Sequence, residues 1–203
     1  MIWFTSDHHF GHANIIKYCK RPFAHVSEMN QEMARRWNST VSPGDTVYYL
    51  GDFSMDFRAA GWWAPQLNGE KILVCGNHDR CHPYRKGYQD YVEQYLNLGF
   101  KMVVTEMKLN LPLFGRDTQV KLHHLPYRYK DPKISDKYAK FRPIDEGEIL
   151  LCGHVHDSWV KNQRQINVGV DCHDFCPISI ETIEKILARP DGPVKIDSYH
   201  GEN

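Results

Sequence analysis

One pattern recurs along this chain and constrains its fold more than any other. A short apolar run of strand length ends in a small or histidine residue, and Asp, His or Asn follows at once. Residues 2–5 (IWFT) lead into Ser6-Asp7-His8-His9, 46–50 (TVYYL) into Gly51-Asp52, and 71–75 (KILVC) into Gly76-Asn77-His78-Asp79. Residues 119–123 lead into His123-His124-Leu125-Pro126, and 148–152 into Gly153-His154-Val155-His156. Such runs, rich in β-branched and aromatic residues, favour strands. In an open α/β sheet, ligands bind outside the carboxyl ends of the strands. Five strand ends bearing metal-capable or acid–base side chains therefore meet in one place if the strands are neighbours. Gly51, Gly76 and Gly153 suit the tight turns such ends require. The chain holds 12 histidines, and the pattern gives many of them a position.

The remaining patterning sets the fold class. Residues 27–38 carry Met29, Met33 and Trp37 at a spacing of four, which predicts a helix with Ser27 as its N-cap. Weaker helical signals cover 57–67 and 88–96, and residues 181–188 are amphipathic. Further strands are expected at 101–104, 107–111, 165–168 and 177–180. Strands alternate with helices early, then hairpin-like strands dominate. The expectation is an α/β fold with mixed rather than purely parallel sheets. A length of 203 residues and the absence of repeats or linkers predict a single domain, 1–203. It is long enough to bury its own core.

Composition excludes several functions. Lys plus Arg and Asp plus Glu both total 25, so net charge is zero and duplex binding by bulk charge is not expected. The stretch 127–142 (YRYKDPKISDKYAKFR) is locally basic and aromatic. It is read as a solvated loop, or as a wall for a nucleotide or single-stranded nucleic acid. No run approaches a membrane span of about 20 apolar residues, and the first residues are not a signal peptide. A cytoplasmic protein is expected, with no membrane and no obligate protein partner. The six cysteines are then no disulfide framework. Cys75 and Cys152 read as core, and Cys172 and Cys176 as an inert loop pair rather than half a zinc site.

Asp, His and Asn without thiolate suit Mn²⁺, Fe²⁺, Zn²⁺, Co²⁺ or Ni²⁺. Asp7, His9, Asp52, Asn77, His124, His154 and His156 are too many for one tetrahedral ion. They suit two ions sharing a carboxylate, an arrangement that clamps both oxygens of a phosphoryl displacement.

The ordered motifs Asp7-His8-His9, Gly51-Asp52, Gly76-Asn77-His78-Asp79, His124-Leu125-Pro126 and Gly153-His154-Val155-His156 resemble those of the calcineurin-like metallophosphoesterases. The opening SDHHFGHANIIKYCKRPF and the NVGVD at 167–171 are similar to small bacterial and phage members. The resemblance implies a four-layer α/β-β/α sandwich and a hydrolase of phosphate esters. Two divalent ions, manganese foremost, would activate a bridging water for in-line attack. It implies Asp7, His9 and His156 at one ion, Asp52 bridging, and Asn77, His124 and His154 at the other. It also implies that His78 is no ligand but donates a proton to the leaving oxygen; by the usual acid–base pairing Asp79 would orient it, or else cap the loop.

Other residues carry weaker signals. His12 is expected near substrate, and Arg80 and Arg128 are candidates to pair with phosphate oxygens, against the commoner fate of surface arginine. Asn14 suits a helix cap. His8 and His12 are counted beside the ions as possible aids to the phosphoryl oxygens, although His8 sits in the spacer of its motif and is no ligand. His123 loses to His124 because adjacent strand residues face opposite ways and Pro126 marks the motif. Trp62-Trp63 reads as helix packing before base stacking. His25, His82, His173 and His200 receive no role. A phosphodiesterase acting on a nucleotide or nucleic acid is the leading reading. The alternatives are a phosphomonoesterase on a small molecule or phosphoprotein, and a non-catalytic metal-binding scaffold on the same fold.

Overall fold

The computed structural model describes residues 1–129 and 136–190. Part of the basic stretch, 130–135, and His200 lie outside the described residues. The elements run β1 (Ile2–Thr5), α1 (Ile15–Tyr18), α2 (Val26–Thr40), β2 (Thr46–Tyr49), α3 (Phe57–Trp63), β3 (Glu70–Val74), α4 (Gln89–Asn97) and β4 (Phe100–Val104). Then follow β5 (Glu106–Leu113), β6 (Arg116–His123), β7 (Ile149–Cys152), β8 (Lys161–Asn162), β9 (Gln165–Asn167), β10 (Ile178–Ser179) and α5 (Ile180–Leu187).

They build two five-stranded mixed sheets, ordered β10-β1-β2-β3-β4 and β5-β6-β7-β9-β8. In the first, β1 to β4 are parallel and β10 is antiparallel to β1. In the second, β6, β7 and β9 are parallel, flanked by antiparallel β5 and β8. A sheet covered on both faces needs near-continuous apolar strands, and β1 to β3 supply them. Phe4, Tyr48, Leu50, Ile72 and Val74 face the second sheet, where Leu111, Val120, Leu122, Leu151 and Ile166 meet them. Val47, Tyr49, Leu73 and Cys75 face α2, α3 and α4, packing on Met29, Met33, Trp37, Ala60 and Tyr95. The outer face of the second sheet carries a thinner cover of Tyr127, Leu150, Cys152 and Trp159. Two mixed sheets packed face to face, with helices on the first, are consistent with the expected sandwich; among the described residues α5 packs into the core between the sheets and no helix covers the outer face of the second.

Three local expectations change. Ser27 is not the cap of α2; the chain enters from His25, whose side chain makes no cap bond. The predicted helix 57–67 stops at Trp63, and Pro65 sits in a short 3-10 turn instead. Asn14 occupies the cap position of α1, but its side chain makes no capping bond. Among the described residues no helix is long and apolar enough to cross a membrane.

Candidate functional site

Every expected ligand lies just past a strand end or in the loop that follows. Five of them leave their strands with a left-handed backbone: φ is 61° at Asp7, 53° at His9, 56° at Asp52, 71° at His154 and 47° at His156. Each such turn costs a non-glycine residue roughly 1–3 kcal/mol and persists only where surrounding bonds fix it. Those bonds are present. Asp7 N donates to Gly51 O at 3.0 Å, and His9 N to Asp52 O at 3.1 Å. Across the sheets, His154 N donates to Asp7 Oδ2 at 3.0 Å. Space is equally constrained. A Cβ on Gly76 would stand 2.3 Å from Asp52 Oδ1, and one on Gly153 would stand 2.3 Å from Asp7 Oδ2.

The result is two clusters. Asp7, His9 and His156 form one, Asp52, His124 and His154 the other; in each, the donor atoms lie within 4.8 Å of one another. Asn77 joins the second, its Oδ1 3.1 Å from His124 Nε2. Asp52 stands between them, with Oδ2 3.6 Å from His9 Nε2 and 3.4 Å from His124 Nε2. The structure thus brings all seven sequence candidates together.

The donor set fits divalent ions. His9 is buried, and neither ring nitrogen has a hydrogen-bond partner. A buried polar atom left so is costly, by about 1–3 kcal/mol, unless something else binds it. Burial holds His9 well below its ordinary pKa, against the pull of Asp52, so it stays neutral with a lone pair to give. His124 Nδ1 donates to Leu50 O at 2.7 Å, which leaves Nε2 as the ligating nitrogen. Burial lowers His124, but Asp52 and Asp7 outweigh it and hold it at about 9. Burial would raise Asp52, yet His124 and His9 hold it well below the usual carboxylate range. Asp7 is raised by burial, opposed by His124 and His156.

His78 lies over the first cluster, its ring centroid 5.2 Å from that of His9. Its backbone N donates to Asp52 Oδ1 at 2.8 Å. Asp79 does not orient it. The Asp79 carboxylate accepts from Asp52 N at 2.9 Å, Gly76 N at 2.8 Å and Phe53 N at 3.0 Å. It ties the Gly51 and Gly76 turns together, which is the loop-capping alternative. Burial and the nearby Asp52 push its pKa up to about 7.

The other expected contacts divide. His12 borders the site, 5.7 Å from His9 between ring centroids. His8 does not face it: Nδ1 pairs with the Tyr49 hydroxyl at 2.8 Å, and the ring packs on Phe10 and Trp37 in the helix-side core. Arg80 is exposed and lies over the Tyr91 ring at 5.8 Å. Arg128 donates to Ala139 O at 3.0 Å and lines a hollow of about 220 Å³ with Tyr127 and Trp159. None of the seven ligands lines that hollow. Both arginines therefore take the surface role. His123 hydrogen-bonds within its own turn, accepting from Leu125 N at 2.9 Å. His82 accepts from Tyr84 N at 3.0 Å. Cys172 is buried, its thiol donating to His156 O at 3.1 Å, and belongs to no metal-binding cluster among the described residues. Trp63 stacks on Phe10 at 5.3 Å while Trp62 is exposed.

Sequence reasoning gave no role to Arg21, Asp171, Asn167 or Ser6, all buried or nearly so beside the ligands. Ser6 Oγ donates to Asp7 Oδ2 at 2.6 Å. Asn167 Nδ2 donates to His156 O at 2.8 Å. The signal was that Ser6 and Arg21 sit in the opening stretch 6–23, and Asn167 and Asp171 in the NVGVD stretch.

Fold and site together define an α/β sandwich protein with two candidate metal-binding clusters. The family model of the calcineurin-like phosphoesterases matches residues 1–158, and the chain belongs to that family. It is 35% identical over 181 residues to the Gene 66 protein of Mycobacterium phage L5, covering 83% of this chain and 86% of that one. It is 46% identical over 191 residues to the uncharacterized protein MJ1445 of Methanocaldococcus jannaschii, covering 93% and 92%. Among solved structures it is similar to AQ665 of Aquifex aeolicus, a protein of unknown function. The TM-score is 0.65 at 29% identity, over 92% of this chain and 98% of that one. These relatives fit the small phage-type subgroup.

Proposed function

We propose that this protein hydrolyses phosphodiesters of nucleotides or nucleic acid, using two divalent ions with manganese foremost. The observation that carries this reading is the position of Asp52, whose Oδ2 lies within 3.6 Å of a ligand nitrogen from each cluster. One carboxylate can then serve both ions. Asp7, His9 and His156 would hold the first ion, and Asn77, His124 and His154 the second. Bound ions would supply Lewis-acid polarisation of the phosphoryl oxygens and lower the pKa of coordinated water.

The chain's own residues supply the rest. His78, half-buried and held at its backbone by Asp52, is the group to protonate the leaving oxygen. Burial lowers its pKa, with Asp52 opposing. His12, at the rim, would donate to a phosphoryl oxygen. The substrate class is supported by rings and cations beside His154. Tyr138 packs on His154 at 5.5 Å and Tyr84 on Tyr138 at 4.9 Å. The Lys137 amine lies 4.7 Å from the Tyr138 centroid and that of Lys140 4.9 Å from Phe141. Tyr138 is itself buried, so the surface offered to a stacked base and to phosphates is the exposed Tyr84 ring with the exposed Lys137 and Lys140 amines.

The test is hydrolysis of bis-p-nitrophenyl phosphate and p-nitrophenyl phosphate with added Mn²⁺ or Ni²⁺. The diester is expected to be cleaved faster. Faster cleavage of the monoester turns the reading to a phosphomonoesterase. Cleavage of neither by ion-loaded protein leaves a non-catalytic scaffold and overturns the proposal. A screen of nucleotides, cyclic dinucleotides and oligonucleotides then names the substrate.

A further inference from the structure

The Arg21 side chain is fully buried and all five of its N–H donors have acceptors. Nε donates to Asp171 Oδ1 at 2.7 Å, and Nη2 to Asp171 Oδ2 at 2.9 Å and Asp7 O at 2.7 Å. Nη1 donates to His8 O at 2.8 Å and touches Met29 Sδ at 3.5 Å. Asp171, 2% exposed at its side chain, accepts in turn from His156 Nδ1 at 3.0 Å. A buried ion pair of this kind is weak support for stability, because desolvating both charges offsets most of their attraction. What it does here is geometric. It holds the carbonyls of Asp7 and His8 at the left-handed turn, and it engages Nδ1 of His156, which leaves Nε2 as the nitrogen available to an ion.

We propose that Arg21 and Asp171 are positioning residues for one ion only, the ion of Asp7, His9 and His156. The proposal rests on the two-ion reading above. The Arg21–Asp171 pair connects to that cluster twice, through the Asp7 backbone and through the His156 ring. Nothing in its hydrogen bonding reaches Asn77, His124 or His154. Cys19, His156 and Asp171 also lie with donor atoms within 4.8 Å of one another. They do not make a third cation site, because the guanidinium already occupies both oxygens of Asp171.

The Asp171→Asn variant separates position from bulk. Arg21 spans both oxygens of Asp171, and His156 Nδ1 shares Oδ2 with Arg21 Nη2, so in either orientation the amide sets its NH₂ against a guanidinium N–H and the charged acceptor of the His156 ring is lost. The ring is then no longer held with Nε2 free for an ion. Titration calorimetry of full-length protein with Mn²⁺ should show two tight sites in the wild type. In Asp171→Asn one site should weaken by roughly 10–100-fold while the other is unchanged. Electron paramagnetic resonance should show the coupled signal of a neighbouring Mn²⁺ pair give way to a single-ion signal. Two unchanged affinities in the variant overturn the positioning role while leaving the two-ion reading intact. A wild type that takes up one ion or none overturns the two-ion reading, and the proposal with it. If Asp171→Asn does not fold, Arg21→Lys keeps the buried charge but loses the fork. It should weaken the same site alone, and equal weakening of both sites counts against the proposal.

Discussion

At the scale of single residues, ligands and proton donor should separate cleanly. Asp52 stands between both clusters, so Asp52→Ala should lose ion uptake and activity together. His78 touches the site with its ring but belongs to neither cluster. His78→Ala should therefore keep its ions and lose about 10²–10⁴-fold in kcat, the usual worth of a general acid. Ion content by atomic emission beside kcat checks both, and loss of ions in His78→Ala would make it a ligand. The clustering of the seven candidates was legible because residue type, strand end and motif spacing all pointed one way. Asp79 was not. Its position between His78 and Arg80 says nothing about which way a buried carboxylate turns, and three backbone N–H groups outcompeted the imidazole. His8 was partly misread for the same reason: it follows Asp7 in the chain, but its ring is taken by Tyr49 in the core. Arg21 and Asp171 lie 150 positions apart, a separation no local pattern reports.

At the scale of elements, strand ends were readable and helix ends were not. The runs IWFT, TVYY and ILLC became β1, β2 and β7 because apolar β-formers leave a buried strand no alternative. The four-residue α1 was signalled only by Asn14 as a cap, because one helical turn shows no periodicity. Ser27 looked like a cap, yet the helix begins before it at Val26, with tertiary packing of Met29, Met33 and Trp37 setting its position. The glycines carry more than turn geometry. Gly153 closes β7 where the second sheet meets Asp7 of the first, and the alanine methyl would occupy the space of Asp7 Oδ2 and Ser6 Oγ, both 2.3 Å away. The contacts are a bound carboxylate and a neighbouring hydroxyl, neither free to withdraw without losing its bond. Gly153→Ala should thus displace Asp7 and weaken the ion of the first cluster, measured by Mn²⁺ calorimetry. Wild-type affinity in this variant would mean that Asp7 has room to move.

At the scale of the whole molecule, the site is a seam. Asp7, His9, Asp52 and Asn77 follow strands of the first sheet, and His124, His154 and His156 follow strands of the second. Ions held there would tie the sheets together, which raises the question of whether they also hold the fold. The packing argues that they do not. The cores on either side of the first sheet contain wholly buried Phe4, Leu50, Val74, Leu122, Leu151 and Ile166 on one face and Trp37, Tyr49, Phe53 and Leu73 on the other. Burying each such side chain contributes about 1.5–3 kcal/mol independently of any ion. The sheets are also pinned by protein alone, through His154 N on Asp7, His124 Nδ1 on Leu50 O and the bridge between Ser6 and Gly169. An ion that binds only the folded chain adds about 4 kcal/mol at a thousandfold excess over its Kd, on top of a stability that already exists. Chelation should abolish phosphoesterase activity, leave the far-ultraviolet circular dichroism intact and lower Tm while the melt stays cooperative. Restored Mn²⁺ should return both activity and Tm. A chain that unfolds outright in chelator would instead be stapled by its metals, and its two cores would be insufficient to hold the sheets together.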